Sequence, residues 1–222
     1  MIIIDHCIKY LIGEVEGKKI KVESLHPWRK DALHILQHSL RVKSYTELIT
    51  KSENIILDKI DEVALPVAAV LHDIGNIQGK YEHAKKSVDM IQPFLEKTIN
   101  EKDIIDRINE LIINHSNKKE RSNDQVLNIL VDADLLDEVG MHSVMMCSNW
   151  LDKNTAFFFQ DFQNRIKEKE LDFIEDVLSV THFESSKKML QEKTQFVKSI
   201  IAQLETENYG SLSRETYKRL TT

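Results

Sequence analysis

Val70-Leu71-His72-Asp73-Ile74-Gly75-Asn76 is the stretch on which the reading of this chain turns. It closes an apolar series, Val63, Val67, Val70, Leu71 and Ile74, spaced as the buried face of a helix over about 57–74. Gly75 reads as the left-handed residue that ends such a helix. A histidine and an aspartate side by side in its last turn offer a metal ion two ligands at once. The dipeptide alone is unspecific. Its weight comes from His38 in His-Ser-Leu-Arg-Val, from His83 and His115, and from Asp134 in Asp-Ala-Asp-Leu-Leu-Asp. That set suits one or two divalent metals and a water nucleophile.

The chain has 222 residues and no Pro/Gly/Ser-rich linker, so a single domain over 1–222 is expected. Its core would span about 29–150, with an N-terminal helix over 1–16 and C-terminal helices over 155–207 packed on it. Six glycines, three prolines and 30% charged residues favour an all-α fold. A formal charge of -6 argues against general attraction to duplex nucleic acid. Cys7 and Cys147 lack metal-type or framework spacing, which suits a reducing cytoplasm. The apolar start is broken by Asp5, His6 and Lys9, is too short to span a bilayer, and lacks the marks of a signal peptide. A soluble cytoplasmic protein is expected, and its oligomeric state does not follow.

Four further segments bear ligand candidates. A helix over about 29–50 carries Leu33, Leu36 and Leu40, with His34, His38, Arg41 and Tyr45 in a polar stripe. A helix from about 81 carries Ala84, Val88, Ile91 and Leu95, and Pro93 should kink or divide it. Over about 102–115, His115 continues the face of Ile108, Leu111 and Ile112. Ser122 and Gln125 match a capping box before the helix that holds Leu127, Leu130, Val131 and Asp134. Phe157-Phe158-Phe159 and helices near 161–178 and 182–207 read as packing elements, and the polar tail from Glu205 as fraying.

Each candidate has a plain alternative: His38 as a satisfied core histidine, Asp134 as a carboxylate held by Arg41, His115 as a helix C-cap, His83 as a surface residue. Jointly the alternatives weaken, because several helix ends and faces would all direct ligand-type side chains inward by accident. A carboxylate aimed at a core is costly unless something compensates it.

His38-Ser-Leu-Arg-Val, Leu-His72-Asp73-Ile-Gly and Asp-Ala-Asp134-Leu-Leu-Asp-Glu-Val-Gly resemble, in order, the three signatures of the HD-domain metal-dependent phosphohydrolase superfamily. The resemblance covers about 29–150, and 172–207 more weakly resembles the helical tail of its small bacterial members. It implies an HD-type helical bundle with a helical C-terminal extension. It also implies His38, His72, Asp73 and Asp134 as ligands of a first metal, and His83 and His115 as candidates for a second that Asp73 would bridge. His34 matches a histidine often found one turn before the first ligand. Asp137 matches only a flanking position, so its loss is expected to leave metal and hydrolysis mostly in place. The chain departs from the pattern at Leu135, where many relatives have arginine. It lacks the Glu-Asp of alarmone hydrolases and the Gly-Tyr-Pro of cyclic-di-GMP phosphodiesterases.

The function these readings imply is metal-dependent hydrolysis of a phosphate ester or anhydride in a small, nucleotide-sized metabolite. One or two divalent ions (Mn, Mg, Fe, Co or Ni) would supply the cofactor. Asp73, His83 and His34 are the candidate catalytic residues. Lys80, Lys118, Lys119 and Arg121, on loops after ligand positions, are candidate phosphate contacts, each with ordinary solvated charge as its alternative. The rival readings are a phosphodiesterase, a di-iron oxygenase of the same superfamily, and a non-catalytic metal-stabilised binding module. Bound iron with oxygen consumption would mark the second.

Overall fold

The computed structural model describes residues 2–20, 27–118, 122–210 and 212–221. Among them the chain is helical throughout, and the only β feature is an isolated bridge between Lys19 and Asp31. The fold is all-α, as its 3.6-residue periodicities require. No described helix is long and apolar enough to cross a membrane. Cys7 and Cys147 are free and buried.

Contacts divide the chain into two compact units. One runs through Asp137 and adds Val180–Lys187, and the other takes Glu138–Ser179 and the chain from Lys188. In the first unit, α1 (Ile2–Val15), α2 (Leu33–Ser52) and α5 (Lys102–Asn114) all pack on α3 (Asp61–Leu71). α3 buries Ala64, Leu65 and all of Val67–Leu71, which makes it the central helix. Asp58 starts it by accepting from the backbone N–H groups of Ile60 and Asp61 through Oδ1. α5 buries Ile105, Ile108, Leu111 and Ile112 along one stripe, and His115 follows on it at 1% exposure.

α4 (His83–Thr98) runs unbroken through Pro93. Pro93 does not divide it, because Pro93 and Asp89, whose carbonyl loses its donor, both lie on the exposed side where water can substitute. α6 (Gln125–Glu138) is capped by Asp124 rather than by a Ser122–Gln125 box. Asp124 Oδ1 accepts from the N–H groups of Val126 and Leu127, while Ser122 Oγ accepts from that of Asp124.

Asp132 on α6 is fully buried and holds Val180–Lys187 within this unit. Its carboxylate accepts from the backbone N–H groups of His182 and Phe183 and from His182 Nδ1. Glu53, the residue after α2, accepts from the N–H of Ser185 at 2.7 Å.

The second unit holds α7 (Met141–Cys147), then α8 (Phe158–Arg165) continued by a π turn, Ile166–Glu170, into α9 (Leu171–Val180). From Lys188 it also holds the rest of α10 (Glu184–Tyr209), and then α11 (Arg214–Thr221). The polar tail is thus ordered as helix rather than frayed, because Tyr209 is buried and meets the Tyr217 ring edge-on at 5.2 Å. Of the three phenylalanines expected to pack, Phe157 and Phe159 are exposed. A run of three consecutive residues cannot share one helix face.

Candidate metal centre

α3 ends one residue before His72, which caps it in helical conformation, and Asp73 follows at φ -106° and ψ 4°. Gly75 is not left-handed here. It sits in a 3-10 turn, Ile74–Gln78, and its missing side chain serves a close approach. A Cβ at Gly75 would lie 2.2 Å from the carbonyl oxygen of His83 and 2.5 Å from the nitrogen of Ser87. The first turn of α4 is thereby laid against the His72–Asp73 turn. Ser87, fully buried, fastens the junction: its hydroxyl donates to the His72 carbonyl at 2.6 Å and accepts from the Gly75 N–H at 2.8 Å. No sequence pattern singles out Ser87, since a serine on an amphipathic helix carries no signal of its own.

This arrangement brings His83 over Asp73. His83 Nε2 lies 3.2 Å from Asp73 Oδ1 and 3.2 Å from His115 Nε2. His115 Nε2 is 3.7 Å from the same Asp73 oxygen. Asp73 Oδ2 faces the other way, 3.5 Å from His38 Nε2. His38 Nε2 is in turn 3.1 Å from His72 Nε2 and 3.3 Å from Asp134 Oδ1. Two overlapping sets, His38/His72/Asp134 and His72/Asp73/His115, each place one ligand atom per residue within 4.8 Å of one another. Asp73 thus turns one oxygen toward each half of the cluster.

Backbone carbonyls fix the histidine rings. Nδ1 of His72 donates to the Ala69 carbonyl, that of His83 to Lys80 and that of His115 to Ile112, each three residues back. A carbonyl only accepts, so each Nδ1 carries a proton and each Nε2 is the ring nitrogen turned inward. His38 differs. Its Nδ1 pairs with Asp137 Oδ2 at 2.7 Å, and Arg41 holds both oxygens of Asp137, at 2.6 and 2.9 Å. Asp137 is therefore the orienting carboxylate of His38 and not an idle neighbour of Asp134. Its motif position conceals this, because the bond spans 99 residues.

Electrostatics follow from this packing. Burial, foremost, pushes His72 down to about 4, so it is neutral at pH 7. Burial also opposes charge on His38, but its bonds to Asp134 and Asp137 prevail and push it up to about 10. Burial works against the Asp73 and Asp134 carboxylates too. The surrounding histidines, His72 first, hold Asp73 below the usual range, and Lys118 and His38 do the same for Asp134. His83 is lowered, chiefly by burial.

Ring nitrogens facing each other at 3.1 and 3.2 Å need a proton or a metal ion between them. In the first pair His38 supplies the proton. In the second, burial disfavours a proton on His83, and a metal ion satisfies all the donors at once. Imidazole nitrogens and carboxylate oxygens are a fitting donor set for a divalent transition ion.

The remaining candidates are less central. His34 is half-buried, one turn before His38, with Nδ1 donating to the Asp31 carbonyl at 2.7 Å. Lys118 places its ammonium 2.8 Å from Asp134 Oδ2. Lys80 is exposed, and what it contributes to the cluster is its carbonyl. Lys119 and Arg121 lie outside the described residues.

The HD domain family model matches residues 35–139, which include His38, the His72–Asp73 pair and Asp134. The chain carries an HD domain. Solved structures share its fold over nearly their whole length. A predicted HD superfamily hydrolase from an uncultured Thermotogales bacterium has a TM-score of 0.59 at 16% identity, covering 91% of each chain. Bacillus subtilis YpgQ in complex with ADP has a TM-score of 0.57 at 18% identity, over 93% of this chain and 98% of its own. An HD-superfamily hydrolase from Bacillus thuringiensis has a TM-score of 0.60 at 19% identity, over 92% and 95%. At such identities the likeness is one of fold. No curated protein matches the chain in sequence. The ligand-type residues of the HD domain here are those whose Nε2 and carboxylate atoms converge.

Proposed function

We propose that the protein is a metal-dependent phosphohydrolase that cleaves a phosphate ester or anhydride of a small, nucleotide-sized metabolite. The observation that carries this reading is the convergence of the Nε2 atoms of His38, His83 and His115 on the two oxygens of Asp73, at 3.5, 3.2 and 3.7 Å, with His72 Nε2 3.1 Å from that of His38. His38, His72, Asp73 and Asp134 would hold the first ion, and His83, His115 and Asp73 a second. A bound divalent ion lowers the pKa of water from ~15.7 toward ~7 and polarises a phosphoryl oxygen.

The chain's own groups do the rest. Asp73, kept ionised by its histidine neighbours, orients the attacking water. His34 lies one turn before His38 with Nδ1 tied to the Asp31 carbonyl, so Nε2 is the atom that would move a proton to the leaving group. His83 takes that part when one ion alone is bound. Lys80 and Lys118 would supply positive charge for phosphate oxygens, and Lys119 and Arg121, which follow Lys118 in sequence, are further candidates. The ADP in the YpgQ structure supports a phosphorylated small-molecule substrate.

The test is phosphate release from a panel of nucleotides and sugar phosphates, with Mn, Mg, Co, Ni and Fe supplied separately. Hydrolysis that vanishes in Asp134→Ala together with bound metal is the expected result. Metal-loaded protein that releases no phosphate from any of them defeats the proposal. Oxygen consumption by the iron-loaded form would then point to the oxygenase chemistry.

A further inference from the structure

Asp134 divides its work. Oδ1 faces His38 Nε2 at 3.3 Å, on the side where metal-ligating atoms converge, while Oδ2 meets the Lys118 ammonium at 2.8 Å. Lys118 reaches the cluster from the loop three residues after His115, and about a quarter of its side chain is open to solvent. A fixed positive charge a few ångströms from a dication weakens metal binding, since like charges repel. An aspartate that needed only orienting would be served by a neutral donor. Lysine at this position is a handicap unless something anionic uses the charge.

Charge bookkeeping indicates what that is. Three carboxylates meet here, Asp73, Asp134 and Asp137, against two cations, Arg41 on Asp137 and Lys118 on Asp134. With the histidines neutral the cluster carries one net negative charge. One divalent ion makes it +1, and two make it +3. With two ions bound, a phosphoryl dianion offsets more of that excess than a diester monoanion does.

We infer that Lys118 selects for the doubly charged phosphoryl terminus of the substrate, so that the site takes phosphate monoesters or terminal phosphates in preference to diesters. This rests on the phosphohydrolase reading and narrows its substrate class. The ammonium stays on Asp134 and turns toward a phosphoryl oxygen bound at the same centre. A compact, flexible-stemmed charge can serve both partners.

The experiment measures binding rather than turnover. Manganese-loaded protein is titrated calorimetrically with inorganic phosphate and with dimethyl phosphate, and Mn affinity is measured separately by chelator competition. Wild type should bind phosphate more tightly than dimethyl phosphate. Lys118→Met should weaken phosphate binding about tenfold or more, the worth of a charge-assisted hydrogen bond. It should change dimethyl phosphate binding little and leave Mn affinity equal or tighter. Lys118→Arg should retain much of the phosphate affinity, and thermal melts check that both variants fold.

If Lys118→Met weakens Mn and both phosphates in parallel, the lysine merely props Asp134 and the inference falls. Unchanged phosphate affinity in that variant, or no phosphate binding by loaded wild type, also overturns it. A protein that binds phosphate through Lys118 yet hydrolyses no ester would refute the hydrolase reading and leave this assignment standing.

Discussion

Replacing Asp137 with Asn tests how far the His38 ring depends on its carboxylate. The side chain is almost isosteric, so packing at this 7%-exposed position stays intact. What changes is charge and donor pattern. Asp137 Oδ2 accepts from His38 Nδ1 at 2.7 Å and from Arg41 at 2.9 Å, and Oδ1 accepts from Arg41 at 2.6 Å. An amide has one accepting oxygen, so its NH2 must face either the imidazole N–H or the guanidinium. With the NH2 in the Oδ1 position the bond from Arg41 Nε is lost, and in the Oδ2 position those from His38 and Arg41 Nη2, each about 1.5–3 kcal/mol. If that loss falls on His38 it lowers metal affinity by roughly 10- to 100-fold, the usual range for an orienting partner of a metal-bound histidine.

The assay is chelator competition for Mn, with the metal-induced rise in melting temperature as a second readout. Arg41→Gln, which leaves the His38–Asp137 bond in place, should weaken Mn by less than the Asp137 change does. Asp137→Asn protein that binds Mn as tightly as wild type would refute the orienting role. It would restore the flanking-residue reading that the motif alone suggests.

Gly75→Ala should displace the first turn of α4, because the new Cβ meets backbone at 2.2 and 2.5 Å. A cost of roughly 1–3 kcal/mol would appear as a melt lowered by several degrees and as weakened binding of the second ion. A variant with unchanged stability and metal content would show that the junction yields freely. Changing His83 and His115 together to Ala should reduce manganese from near two ions per chain to one, by metal analysis of reconstituted protein. One ion in the unmodified protein at saturation would leave only a mononuclear site.

Arg107→Gln removes bonds to Asp61, Glu110 and both oxygens of Asp124, and should destabilise by about 1–3 kcal/mol at pH 7. The Asp124 pKa is lowered in the folded state: burial opposes this, and Arg107 together with the first N–H groups of α6 outweighs it. Its contribution is thus present above the unfolded carboxylate value near ~4 and is lost as pH falls through the lower folded value. The stability gap between variant and wild type should narrow below about pH 4. A gap independent of pH down to 2 would show that the Arg107–Asp124 pair does not set it.

The sequence by itself determined that the protein is helical and which residue types converge. Helix periodicity and the His-Asp pair are local: Ile108, Leu111, Ile112 and His115 share a face because of the helical repeat, whatever surrounds them. Even the tautomers of His72, His83 and His115 follow from carbonyls three residues back, within reach of any helix end. The tertiary structure decided how these residues are held. Asp137 meets His38 across 99 positions, Ser87 meets His72 across 15, and Lys118 meets Asp134 across a loop. None of these pairings has a period, because a hydrogen bond between helices depends on where the packed backbones lie. Gly75 shows the difference most directly. Its composition signal is that of a helix cap, and its place in the fold is a close contact that only a second helix, arriving from eight residues on, can create. Local propensity is set by the chain's own dihedrals. The His/Asp cluster is set by the burial that drives the helices of the first unit together and leaves their polar side chains facing one another.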